Sequence, residues 1–321
     1  MALTGGPRPT EVVTPAAIRN AQRVLLAVSG STNAVIHMAA VAGRIGMKLD
    51  LDDFNCLSDQ TPVLVDLKPV GAGYMEDFHY AGGLEGVLRE IAPQLETGTR
   101  SITGQTLADR LSRPLADPID RVVIREAQTP ISPVGGLIAL LGSLAPDGAI
   151  LKRAAATEAL LEHEGRAVVF TSLEDLAARI DDPDLDVTAD DILVLQNVGP
   201  KSPSGMPEAG YLPIPKKLAK AGVKDMVRIS DARMSGTAFG TIVLHVLPEA
   251  AVGGPLALVR NGDRIRLSAR EKRIDLLVDT ETLTQRGGQV ELGSHAPERG
   301  YARLYHEHVL SASDGCDFDF L

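Results

Sequence analysis

The second half of this chain is cut into short apolar runs at 136–141, 149–152, 166–171, 192–198, 226–229 and 241–247, rich in Val, Ile and Leu and set off by Gly, Pro, Asp and Asn. Such runs read as β-strands. A further stretch, 263–279, alternates apolar with polar residues as a half-buried strand does. Only two helices interrupt this pattern. Ser172-Leu173-Glu174-Asp175 reads as a capping box opening a helix through Ile180, and 214–221 reads as the other. Ala145-Pro146-Asp147-Gly148 has the Pro and Gly placement of a tight turn. Many short strands with few helices predict a barrel-like β domain.

The first third reads differently. Thr14 is suited to cap a helix with Pro15 at its first position, and Ile18, Ala21, Leu25 and Val28 recur at helical spacing. Gly30 breaks it. Ser31 or Thr32 can then cap a second helix, with Val35, Met38 and Ala42 as its apolar stripe and Asn33 and His37 together on another face. The run 62–67 reads as a buried strand, and Gly82-Gly83 ahead of Leu84, Val87, Leu88 and Ile91 as a helix start, which makes this part α/β. The polar stretch 94–118 is the expected passage between domains, giving an α/β piece over 1–118 and a β-rich domain over 119–321.

Composition narrows the function. A net charge of −10, no Trp and 3% aromatic residues argue against a nucleic-acid partner. No apolar run reaches the roughly 18 residues a membrane helix needs. The opening MALTGGPRPTE lacks the basic-then-apolar order of a signal peptide, so a cytoplasmic location is expected. Cys56 and Cys316 stand far apart without a C-x-x-C, which indicates neither a disulfide framework nor a zinc site. The Gly pairs match neither a Walker loop nor G-x-G-x-x-G, and the acidic stretch 181–186 lacks the glycine and glutamate of a calcium loop.

Two segments concentrate chemistry. GPKSPSGMPEAG at 199–210 sets Glu208 in a Gly- and Pro-rich bend, where it could ligate a hard cation or simply be solvated. ISDARMSGTAFG at 229–240 sets Ser235 two residues after Arg233, on the same side of an extended backbone. A serine hydroxyl is a feeble base unless positive charge stands beside it, and many Ser-Gly pairs are plain turns.

Together, GMPE at 205–208 and DARMSG at 231–236 resemble the dihydroxy-acid and phosphogluconate dehydratase family. SGSTNAVIHM at 29–38, DLKPVGAGYMEDFHYAGG at 66–83 and GGLIALLGSLAPDGAILK at 135–152 are similar to further family segments, with Ser143 where the family pattern has Asn. The C-terminal GYARLYHEHVLSASDGCDFDFL looks more like the sugar-acid branch. The resemblance covers what looks like the C-terminal half to two-thirds of the family pattern. It implies an incomplete α/β piece followed by a swivelling β-barrel, and a carbon–oxygen lyase that converts an aldonate or 2,3-dihydroxy acid to a 2-keto acid. By resemblance Ser235 is the base and Glu208 a Mg²⁺ ligand, with Arg233, Asn33 and His37 as supporting candidates. The family also implies an iron–sulfur cluster, but neither cysteine here matches a cluster-ligand motif. Expected partners are a small anionic sugar acid and either a second copy of the chain or an N-terminal half supplied separately. The alternatives are a catalytically inactive paralogue serving as a binding or oligomerisation module, and a small swivel subunit of an aconitase-type isomerase.

Overall fold

The computed structural model describes residues 5–115, 117–208, 211–235, 239–289 and 297–321. The chain divides into two compact units, Met1–Leu137 and Ile138–Leu321.

The first unit is built of helices: α1 (Pro9–Val12), α2 (Pro15–Ala27), α3 (Asn33–Gly43), α4 (Leu51–Gln60), α5 (Met75–Tyr80), α6 (Gly83–Glu90) and α7 (Leu107–Leu111). α2 starts as the Thr14-Pro15 pair predicts, the Thr14 side chain accepting from the Ala17 amide at 3.2 Å. Ala27, Leu64, Val65, Val87, Leu88, Ile91 and Ile124 close a core of their own. The strand expected over 62–67 does not form as a strand. Val63 and Val65 make isolated bridges to Ser132 and Ile124, while Leu64 donates to the Ala27 carbonyl and accepts from Arg125. Burial is as expected, but the partners come from irregular segments that pair one residue at a time, so no ladder extends. α3 also departs in detail. Ser31 rather than Thr32 supplies the cap contact, accepting from the Asn33 amide, and Ile36 and Ala39 are buried in place of Met38.

The second unit is an eight-stranded sheet: β1 (Ile138–Leu140), β2 (Gly148–Leu151), β3 (Glu162–Phe170), β4 (Ile192–Leu195), β5 (Arg228–Ser230), β6 (Ile242–Leu247), β7 (Arg264–Ser268) and β8 (Arg273–Leu276), ordered β1-β2-β6-β5-β4-β3-β7-β8. β3 to β6 run parallel, with α8 (Leu173–Arg179) and α9 (Lys216–Lys220) in the crossovers, and antiparallel hairpins flank them. α10 (Thr280–Gly287) and α11 (Gly300–His308) follow. The parallel strands are buried on both faces. Ala167, Val169, Ile192 and Val194 enter one core cluster, while Val168, Phe170, Leu193 and Leu195 enter the other, covered by Leu176 and Ile180 of the α8 region. That double burial is why they read as unbroken apolar runs. Ser172 caps α8 as expected, yet Asp175 reaches back to the Thr171 amide, so the box is displaced by one residue.

The sheet nearly closes on itself. Leu141, just after β1, bridges Arg273 of β8, with Leu141 donating to the Lys272 carbonyl and Ile274 donating to that of Leu141, both at 3.0 Å. Gly142 permits this approach, because a Cβ there would lie 2.1 Å from the Ile274 oxygen. Ser143 extends the seam through its hydroxyl, which accepts from the Leu276 amide at 2.9 Å. The expected barrel-like β domain is thus present, closed along a short seam between residues 141–144 and β8.

Candidate functional site

Because β3, β4, β5 and β6 are parallel, the loops leaving β4, β5 and β6 emerge at one edge of the sheet. The carboxyl ends of parallel strands are where α/β sheets hold their ligands. The Glu208 segment leaves β4 and the Ser235 segment leaves β5, so strand order alone brings the two motifs to this edge.

Buried carboxyl groups fasten the three loops together. Asp231, almost wholly buried, accepts from the Val198 amide after β4 at 3.0 Å and from the Ala250 amide after β6 at 2.9 Å. Burial raises its pKa to about 6, against the pull of those amides toward the charged form. Glu249 accepts from the Lys201 amide at 3.0 and 3.1 Å. Burial, reinforced by the charge of Asp231, pushes Glu249 up to about 8. Gly199 is required beneath it, since a Cβ would lie 2.1 Å from a Glu249 carboxyl oxygen. Two carboxyl groups titrating in one low-dielectric patch share their protons, and burial favours the protonated form of both.

Past Asp231, Ala232 and Met234 turn into the core, which leaves Arg233 half-buried and Ser235 exposed, the same-side placement expected of these two. Arg233 Nε donates to the Met206 carbonyl at 3.1 Å and so ties the Ser235 segment to the Glu208 turn. The turn is tightly defined up to that point: Gly205 has φ +63° and Met206, 2% exposed, has φ +55°. Glu208 itself is exposed. Residues 209–210 and 236–238, at the ends of the two motifs, lie outside the described residues.

Beside this tie, β6 carries a bulge between Leu244 and Leu247, where His245 takes φ +56°. Its amide donates to the Ala232 carbonyl, and its buried Nε2 has no hydrogen-bond partner among the described residues. Burial, then the nearby Arg233 charge, lower its pKa to about 3, which keeps it neutral.

The structure therefore joins the segments of Glu208, Arg233 and Ser235 in the second unit. Asn33 and His37 belong to the first unit, where α3 buries Asn33 and exposes His37, so the pair does not present one uniform face. Sequence reasoning missed Asp231 as a functional residue although it lies inside DARMSG. It also missed Glu249 and His245, which carry no motif.

The donor set fits a magnesium ion only in part. Mg²⁺ keeps several waters and takes one or two carboxylates, a role open to Glu208, but no group of three His, Cys, Asp or Glu side chains among the described residues forms a complete cage. An iron–sulfur cluster does not fit the cysteines present. Cys56 is an exposed single thiol of the first unit. Cys316, in the second, is a thiol that burial pushes up to about 12, engaged with the Met206 sulfur at 3.5 Å.

A near-closed β-barrel unit here gathers an acidic turn and a serine-bearing turn at the ends of parallel strands, an arrangement suited to holding a small ligand. Comparison with known families makes the assignment particular. Residues 122–316 match the C-terminal domain of the dihydroxy-acid/6-phosphogluconate dehydratases and residues 1–110 match the N-terminal domain, so the chain belongs to that family. The match to both domain models shows that the resemblance is not confined to the family's C-terminal domain. The chain is 47% identical to the L-arabonate dehydratase of Azospirillum brasilense over 97% of its length and 55% of the relative's. It is 46% identical to the 6-deoxy-6-sulfo-D-gluconate dehydratase of Pseudomonas putida over 98% and 54%, and 38% identical to the chloroplastic dihydroxy-acid dehydratase of Arabidopsis thaliana over 97% and 51%. The chain thus spans about half the length of the curated relatives it matches. Among the described residues no helix is long and apolar enough to cross a membrane.

Proposed function

We propose that this chain is the proton-abstracting part of a cytoplasmic hydro-lyase that dehydrates an aldonate to a 2-keto acid, with Ser235 as base and Glu208 as a Mg²⁺ ligand. The observation that carries this reading is the Arg233 to Met206 hydrogen bond, which holds the exit of β5 against the turn of β4. Two relatives at 46–47% identity are sugar-acid dehydratases by name, and this supports the aldonate branch over branched-chain precursors.

The reaction breaks C2–H and C3–O, the abstracted proton and the departing hydroxide together making up the water released, and the enol left behind becomes the 2-keto acid by passing its hydroxyl proton to solvent and taking one at C3. Ser235 takes the C2 proton, its alkoxide form favoured by the guanidinium two residues away. Glu208 presents carboxylate oxygen from a turn in which Gly205 takes the left-handed conformation and Pro207 has its φ fixed by its ring. Bound Mg²⁺ would supply positive charge for the substrate carboxylate and the developing enolate. Asp231 and Glu249 fix the loops rather than touch substrate. No step is assigned to a cluster, whose ligands this chain does not furnish.

The test is anaerobic purification of the chain with and without a polypeptide supplying the other half of its relatives, followed by assay of 2-keto acid from a panel of aldonates. Turnover on an aldonate that Ser235→Ala abolishes, with an unchanged circular dichroism spectrum, supports the reading. Turnover indifferent to Ser235→Ala removes the serine from the mechanism, and no turnover with any complement leaves the binding-module alternative.

A further inference from the structure

The last 22 residues of the chain fold into a small self-braced segment. α11 is followed by a turn that returns on it: Val309 bridges Phe318, Leu310 donates to the Asp317 carbonyl and Asp319 to that of His308. Aromatic contacts stiffen it, Tyr305 meeting Phe318 edge-on at 5.9 Å and Phe318 stacking on Phe320 at 5.2 Å. Neither Tyr305 nor Cys316 belongs to the two core clusters of the barrel. Their contacts go instead to the loop that carries Glu208.

Three of these contacts are independent. The Tyr305 hydroxyl donates to the Gly205 carbonyl at 3.2 Å, its ring edge 3.4 Å from where a Cβ on Gly205 would stand. The Cys316 thiol donates to the Met206 sulfur at 3.5 Å, both residues holding left-handed backbone. Lys201 Nζ donates to the His306 carbonyl at 2.8 Å, placing a cation at the C-terminal end of α11. Burial pushes the Tyr305 phenol up to about 12, so its proton is present at any working pH.

We infer that segment 300–318 is a clasp that sets the position of the Glu208 turn, with Tyr305 as its main positioning residue. Arg233 bonds Met206 from the Ser235 segment and the clasp bonds Gly205 and Met206 from the C-terminal segment, so the turn is held by two separate parts of the chain. This rests on the reading of Glu208 as a Mg²⁺ ligand for its functional meaning, but not for its structural content.

Tyr305→Phe removes one hydroxyl and keeps the ring. Hydrogen exchange of the full-length chain should quicken roughly fivefold within 199–206, the loss of one ordinary hydrogen bond, with β4 and β6 unchanged. Cys316→Ala should do the same near Met206 on a smaller scale. In the complemented enzyme the Mg²⁺ concentration giving half-maximal rate should rise severalfold in Tyr305→Phe, and saturating Mg²⁺ should restore turnover, a rescue that general loosening would not allow. Unchanged exchange in 199–206 for both variants overturns the clasp, as does exchange that quickens equally through β4 and β6. A wild-type enzyme indifferent to Mg²⁺ would sink the ligand role of Glu208 while the exchange data still decide the clasp.

Discussion

Glu249→Gln tests the buried carboxyl pair directly. The wild-type carboxyl has a folded value near 8 against an ordinary 4.5, so the native state binds this proton more tightly than the unfolded chain does. Its contribution is complete below 4.5 and is lost as pH rises through 8. A shift of that size implies a loss of about 2–3 kcal/mol between pH 5 and pH 7, and about 4 kcal/mol from pH 5 to well above pH 8. Asp231, raised in the same direction, adds to the slope. Glutamine keeps an oxygen for the Lys201 amide but cannot ionise. The variant should match wild type near pH 5 and exceed it by several kcal/mol at pH 8. The chain has no tryptophan, so urea unfolding is followed by far-ultraviolet circular dichroism at each pH. Midpoints of the two proteins that run parallel from pH 5 to pH 8 would show that Glu249 titrates in the fold as it does in the unfolded chain, and the argument that burial raises it would fall.

Gly142→Ala should open the barrel seam, because the added methyl meets the Ile274 oxygen at 2.1 Å; a cost of about 3 kcal/mol or more in urea is expected, against about 1 kcal/mol for Gly46→Ala, where φ is +72° and the space is open. Arg228→Met should cost about 3–5 kcal/mol by leaving Asp225, its partner at 3.0 Å, buried without its cation, and adding Asp225→Asn should recover part of that loss in the same unfolding measurement. Glu208→Gln should raise the Mg²⁺ requirement of the complemented enzyme at least tenfold, about 1.4 kcal/mol of metal affinity, and leave the unfolding midpoint within about 0.5 kcal/mol, since the residue is exposed; an unchanged Mg²⁺ titration would remove it from the metal site.

What the sequence made legible was whatever is written in local periodicity or local capping. β4 was readable because Ile192 and Val194 face one core while Leu193 and Leu195 face the other, leaving no polar position to interrupt the run. α2 was readable because Thr14 and Pro15 each do one local job at its start. The run 62–67 was legible as buried but not as a set of bridges, because its partners at 124 and 132 lie far along the chain and supply one residue each. Ser143 looked like a departure from a pattern, and only the return of β8 to β1 shows its hydroxyl closing the seam. The functional site divides the same way. Glu208, Arg233 and Ser235 sit in motifs that mark themselves, whereas Asp231, Glu249 and His245 acquire their chemistry from being enclosed where three loops meet. That enclosure follows from the strand order β6-β5-β4-β3, in which neighbours in space are also successive in sequence and parallel, so every crossover returns its loop to the same edge. A local pattern can name a reactive side chain, but the raised pKa of Glu249 comes from its enclosure at this edge, which no local pattern records.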